Sequence, residues 1–240
     1  MPDRRAWGVV AADAVGAIVL AAGRASRMGA PKILLPWRGR ALVLHVLDAL
    51  AAAGVAPVIV VVAPHTPPLP RPFPARAGHR VPFELLCNPA AAEGMGTSLA
   101  AGAAALAGRV DAVVVCLGDQ PAIDPATIRA LVAALRPPAV AAVPIYQGGV
   151  RGHPVLFAAS CLPELAALRG DRGGRDVLER HPWARVPVDA PAPGDVDTPE
   201  DYARLLAAPQ VATGPGTAAS APRPERGAGA PGAADGGEGR

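Results

Sequence analysis

Only one of the 23 basic residues in this 240-residue chain is a lysine, Lys32. It closes the run Leu20-Ala21-Ala22-Gly23-Arg24-Ala25-Ser26-Arg27-Met28-Gly29-Ala30-Pro31-Lys32. Ala21, Ala22 and Gly23 carry almost no side chain, so backbone amides there can approach a flat or phosphorylated ligand closely. Arg24, Arg27 and Lys32 add cationic donors, the arginines as forks across two phosphate oxygens and the lysine as a mobile point charge. No acidic residue falls between Asp13 and Asp48, which suits an anion. The spacing fits neither familiar phosphate loop. A dinucleotide fingerprint needs GxGxxG, and the glycine after Gly23 is Gly29; a P-loop needs Gly-Lys-Ser/Thr, and Gly29 is followed by Ala30-Pro31-Lys32.

Two further segments carry polar chemistry after apolar runs. Ala112–Leu117 leads into Gly118-Asp119-Gln120-Pro121, which sets a carboxylate at the end of a strand, where it is placed to ligate Mg²⁺ or Mn²⁺. An isolated Asp at such a place is more often a turn or cap residue; the basic first loop favours the metal role. The only asparagine, Asn88, precedes Pro89 and the segment Gly94-Met95-Gly96-Thr97-Ser98. Its amide has the donor and acceptor needed to read a base, and Ser98 could bond ribose or phosphate; a turn role for Asn88 is the alternative.

These residues need a scaffold that gathers loop ends. Ala17–Leu20, Val58–Val62, Phe83–Leu86, Ala112–Leu117 and Ala139–Val143 read as buried strands. Helices are expected at Ala41–Ala53, closed by Gly54, at Thr97–Ala107, closed by Gly108, and at Pro125–Leu135, capped by Asp124. Further helices are expected at Leu162–Leu168, Arg175–Arg180 and Pro199–Leu206. Strand and helix in alternation imply an α/β fold with a mainly parallel sheet covered on both faces, whose ligands bind beyond the carboxyl ends of the strands. Pro64–Pro82 holds seven prolines and reads as a long surface loop. From Pro209 to Arg240, eight Gly, eight Ala and five Pro leave little to bury, so residues 209–240 are expected as a disordered tail beyond a folded unit at 16–208.

Composition narrows the function classes. A 51% apolar content excludes a wholly disordered chain, and aromatic residues at 3% imply a core of small aliphatic side chains. A net charge of +3 without a clustered basic face argues against nucleic acid as a partner. No apolar run approaches the ~20 residues that span a bilayer. Arg4-Arg5 faintly resembles a twin-arginine signal, but Asp13 interrupts the run that follows. Cys87, Cys116 and Cys161 lie far apart among apolar neighbours and read as buried thiols in a reducing, cytoplasmic setting. His45 falls on an apolar helix face and reads as packing.

Five segments in order carry a resemblance: Leu20–Lys32, Leu117–Pro121 (LGDQP), Gly152–Phe157 (GHPVLF), Gly170–Arg175 (GDRGGR) and Asp195–Tyr202 (DVDTPEDY). Together they resemble the MobA-like nucleotidyltransferases, and among them the molybdenum cofactor cytidylyltransferases, over residues 16–206. One departure is Ala25, where that family usually has Ser. The resemblance implies a Rossmann-like three-layer sandwich of the nucleotide-diphospho-sugar transferase type. It also implies transfer of CMP from CTP, with Mg²⁺, to the phosphate of a molybdopterin-type cofactor, with release of pyrophosphate, and delivery to a receiving molybdoenzyme. In that reading Lys32 and Arg27 hold the triphosphate and Asp119 the metal. Asp197 is the second carboxylate or, alternatively, a helix N-cap paired with Glu200. Gly152 and His153 face the acceptor, with a structural histidine as the alternative.

The base is expected to be cytosine, because a methyl at Ala22 stands where guanylyl-transferring relatives have glycine. Rival readings are a nucleotidyltransferase that uses GTP or acts on a sugar or isoprenoid phosphate, and a non-catalytic carrier of molybdenum cofactor.

Overall fold

A computed structural model describes residues 15–23, 31–69 and 83–208. The chain divides into two units, Met1–Pro209 and Gln210–Arg240; the second, where the tail is expected, lies outside the described residues. So do Arg24, Arg27 and most of the proline-rich stretch.

The main sheet has seven strands: β1 (Val15–Leu20), β4 (Val58–Val62), β5 (Phe83–Cys87), β6 (Ala112–Leu117), β7 (Ala141–Ile145), β8 (Val155–Ala158) and β9 (Trp183–Pro187), in the order β5-β4-β1-β6-β8-β7-β9. All neighbours pair in parallel except β8, which is antiparallel to both β6 and β7. Alternation along β1 sorts the core. Val15, Ala17 and Val19 pack with α1 (Leu42–Ala52) and α3 (Pro125–Ala134), while Ile18 packs with α2 (Met95–Leu106), α4 (Leu162–Ala166) and α5 (Arg175–Arg180). Helices therefore cover both faces, as the alternating sequence requires.

Local chemistry sets several element ends. The Asp124 carboxylate accepts the Ala126 N–H at 2.8 Å and starts α3 with Pro125 in its first turn. Gly54 follows α1 at φ +76°, the left-handed conformation that glycine adopts without a Cβ clash. The last helix, α6 (Pro199–Ala207), begins with a capping box in which Thr198 and Asp201 bond each other's backbone. The cap thus sits one residue beyond the alternative role considered for Asp197.

Three elements are additional to the sequence expectation. The strand β9 is half exposed and has little alternation, and β8 is four residues long and antiparallel, so neither announces itself as a buried strand. A two-stranded hairpin, β2 (Pro36–Trp37) and β3 (Arg40–Ala41), turns at Arg38 and Gly39, both at positive φ. Val196 with Tyr202 and Leu205 of α6 packs on Trp37 and Leu42, which fastens the C-terminal segment to this hairpin. Cys116 and Cys161 are buried as expected, but Cys87 is exposed, because β5 is an edge strand whose outer side nothing covers among the described residues. No described helix is long and apolar enough to cross a membrane.

Candidate active site

The chain leaves β1 toward β4 and β5, then crosses back to β6 on the other side of β1, so the sheet changes direction between β1 and β6. Crevices at such points bind ligands in open α/β sheets. The two strands run in register from Val15 and Ala112 to Leu20 and Leu117, and the Gly118 N–H donates to the Leu20 carbonyl at 2.9 Å. A Cβ at Gly118 would lie 3.1 Å from the Leu20 carbonyl oxygen and 3.3 Å from the Ala21 Cβ, so the two strand ends approach closely there.

A cavity of about 390 Å³ opens beyond these ends, within the range for small-molecule sites. One wall is Leu20, Ala21, Ala22 and Gly23 with Lys32 and Ile33. A second is Leu117 and Asp119 with Asp195 and Asp197, and a third is Ala91, Ala92, Gly94, Met95 and Ser98 with Asp171. The strand-end residues expected in the site are therefore together, with the described part of the first loop opposite two carboxylates.

Lys32 bridges those carboxylates. Its Nζ lies 2.6 Å from Asp197 Oδ1 and pairs with Asp119 Oδ2. Burial works against the lysine charge, yet the two carboxylates outweigh it and its pKa is raised. Burial likewise raises the Asp119 carboxyl above its ordinary value, with Lys32 pulling the other way. Asp197 is more open to solvent.

The bridge shows that two carboxylates converge on one cation position. Their hard oxygen donors suit Mg²⁺ or Mn²⁺. Among the described residues no group of three or more His, Cys, Asp or Glu could hold a metal. A cation held by two carboxylates takes its remaining ligands from water and substrate phosphate, which is the usual habit of Mg²⁺.

Gln120 ties the second carboxylate segment to β6. It is buried, and its Nε2 donates to Asp195 Oδ1 at 2.7 Å, while its Oε1 is buried without a partner among the described residues. Asp195 had no assigned role in the sequence reading, although it stands two residues before Asp197 in the same motif. Asp171 was likewise passed over within GDRGGR.

Three expected residues behave differently. Asn88 is buried and its amide is fully engaged: Nδ2 donates to Thr97 Oγ1 at 2.9 Å and Ser98 Oγ at 3.0 Å, and Oδ1 accepts the Ala90 N–H at 3.0 Å. It acts as a turn and packing residue in this structure, with both amide hydrogens already donated within the fold. Ser98 does reach the cavity; its oxygen accepts from Asn88, which leaves its proton to donate to a ligand. Gly152 and His153 follow the β7–β8 turn but are not part of the cavity wall. Gly152 packs against the Tyr146 ring, whose hydroxyl donates to the His153 carbonyl at 2.7 Å. Burial lowers the His153 pKa, against the pull of Asp195 and Asp119. His45 packs edge-on against Trp37 as expected, and its Nε2 also lies 2.8 Å from the Trp37 carbonyl.

Residues 17–188 match the family model for the MobA-like NTP transferase domain. Nicotine blue oxidoreductase of Paenarthrobacter nicotinovorans is 33% identical over 80% of this chain and 96% of its own length. Purine catabolism protein PucB of Bacillus subtilis is 30% identical over 77% and 92%. The crystal structure of Rv0371c from Mycobacterium tuberculosis superposes with a TM-score of 0.68 at 34% identity, over 81% of this chain and 98% of that one. The same mycobacterial protein in complex with manganese gives a TM-score of 0.64 at 32% identity, over 80% and 98%. On sequence and on fold, the chain belongs to the MobA-like NTP transferase family and is a nucleotidyltransferase with the nucleotide-diphospho-sugar transferase fold.

Proposed function

We propose that the chain transfers CMP from CTP to the terminal phosphate of a molybdopterin-type cofactor. The observation that carries this reading is Lys32 held between Asp119 and Asp197 at the meeting of β1 and β6, beside the small residues Ala21, Ala22 and Gly23. A divalent cation, when bound, supplies charge neutralisation on the triphosphate; the manganese complex of the mycobacterial relative supports that choice of metal.

The chain's residues then have separable tasks. Asp119 and Asp197 would hold the cation, and Lys32 would turn from them to the triphosphate oxygens as negative charge builds on the leaving pyrophosphate. Backbone amides of Ala22 and Gly23 approach the nucleotide unobstructed, and Ser98 donates from the third wall. An oxygen of the acceptor phosphate attacks the α-phosphorus of CTP, the bond to the β-phosphate bridging oxygen breaks, and pyrophosphate departs with that electron pair. The attacking oxygen is already ionised, so no general base is needed. Ala22 is buried in the cavity wall, and a methyl there favours the smaller pyrimidine. The product would pass to a receiving molybdoenzyme, in the cytoplasm.

Pyrophosphate release with purified molybdopterin cofactor and each of four NTPs tests the reading. CTP-dependent release is expected. Equal or better turnover with GTP overturns the choice of base, turnover only on sugar or isoprenoid phosphates overturns the acceptor, and cofactor binding without pyrophosphate release identifies a carrier.

A further inference from the structure

The motif GDRGGR has so far no task, yet it supplies a cavity side chain. The segment joining α4 to α5 lies with its backbone against the opening of α2. The Gly96 N–H donates to the Gly170 carbonyl at 2.8 Å. A Cβ on Gly96 would stand 2.2 Å from the Arg172 carbonyl oxygen, and one on Gly94 2.3 Å from the Gly170 carbonyl carbon. Gly94 itself is at φ +127°. Two backbones thus meet with no room for side chains, and this contact brings Asp171 to the third wall of the cavity, beside Gly94 and Met95.

Asp171 differs from the other three carboxylates of the cavity. Asp119 and Asp197 hold Lys32, and Asp195 accepts from Gln120. Asp171 is exposed at the rim of the cavity and has no hydrogen-bond or ion-pair partner among the described residues. Next to a phosphate it would only repel. A carboxylate in a cavity for an anionic substrate is useful where the substrate carries neutral O–H or N–H donors, which it receives through charge-assisted hydrogen bonds.

We propose that Asp171 is a specificity-determining residue that accepts hydrogen bonds from a neutral donor group of the substrate, of the kind presented by a vicinal diol. The inference rests on the nucleotidyltransferase reading of the cavity. Two sources offer that chemistry: the ribose hydroxyls of the nucleotide, and hydroxyl or amino groups of the acceptor. A site built on such a bond rejects analogues that lack the donor. The alternative task for Asp171 is purely structural, as a negative charge near the N-terminus of α2.

The test compares wild type with Asp171→Ala and Asp171→Asn. The measurements are equilibrium binding of CTP, 2′,3′-dideoxy-CTP and pyrophosphate with Mg²⁺, the acceptor KM, and the thermal midpoint. Pyrophosphate has no such donor and controls for the phosphate site. If the ribose is the source, Asp171→Ala weakens CTP about tenfold or more, leaves pyrophosphate and the thermal midpoint unchanged, and adds nothing to the loss already shown by dideoxy-CTP. If the acceptor is the source, CTP binding holds and the acceptor KM rises by a similar factor. Unchanged CTP binding and unchanged acceptor KM overturn the proposal, as does a uniform weakening of all ligands with a lowered thermal midpoint. A wild-type chain that binds no nucleotide is a different failure, that of the parent reading.

Discussion

Lys32 Nζ lies 2.6 Å from Asp197 Oδ1, although the two residues are 165 positions apart, and the same ammonium also pairs with Asp119. In the proposed reading, a divalent cation and this lysine compete for one pair of carboxylates, and the nucleotide triphosphate gives the lysine another partner. An apparent metal affinity is the intrinsic one scaled by the fraction of molecules whose site is free. Lys32→Met is expected to tighten Mn²⁺ binding without nucleotide on the order of tenfold, read from the electron paramagnetic resonance of free Mn²⁺. The same variant should lose more than ~100-fold in nucleotidyl transfer, because charge stabilisation of the leaving group goes with the ammonium. Unchanged or weaker metal binding would break the competition argument, and retained turnover would remove Lys32 from the reaction.

Asn88→Ala is expected to cost about 1–3 kcal/mol of stability, since Thr97, Ser98 and the Ala90 amide each lose a buried partner. Chemical denaturation measures it. The ratio of CTP to GTP turnover should stay that of the wild type. A tenfold change in that ratio with stability intact would return Asn88 to base recognition.

The different fates of Asn88 and Lys32 show what a sequence makes legible. Rarity in a chain biased toward arginine marked both residues, but only chemistry separates them: an ammonium finds its partners at long range, while an amide is satisfied by the first donors and acceptors nearby. Asn88 found Thr97 and Ser98 within ten residues. The central strands β1, β4 and β6 were readable because buried parallel strands are continuous apolar runs. The strand β9 and the β2–β3 hairpin were not, because their stability comes from neighbours distant in sequence. Asp171 reaches the cavity only through a backbone contact between two glycine-rich segments, which no spacing within either segment reveals.

The three thiols should separate by accessibility. Burial pushes the Cys116 thiol up to about 12 and also raises Cys161, whereas Cys87 is exposed on the edge strand β5. A thiol reagent near pH 8 needs the thiolate. One fast-reacting thiol is expected in the native chain and three after denaturation, and Cys87→Ser should abolish the fast phase. Two or more fast thiols would mean that the sheet opens far more readily than its buried core implies.

Base choice turns on a methyl group. Ala22 is 7% exposed and stands in the same wall as Gly23, with the Lys32 side chain leaning over that glycine, 3.5 Å from where a Cβ would be. In the proposed reading, the Ala22 methyl narrows the base site and disfavours a purine. Alanine to glycine removes one carbon, and one such group in a closely packed pocket shifts discrimination by about 1–3 kcal/mol, or roughly 10- to 200-fold. Ala22→Gly is therefore expected to raise kcat/KM for GTP relative to CTP by at least about tenfold, measured by pyrophosphate release. If cytosine is the base, CTP turnover itself should change little, because the smaller base does not need the space. An unaltered ratio would place base selection on the Ala91–Ser98 wall rather than on β1.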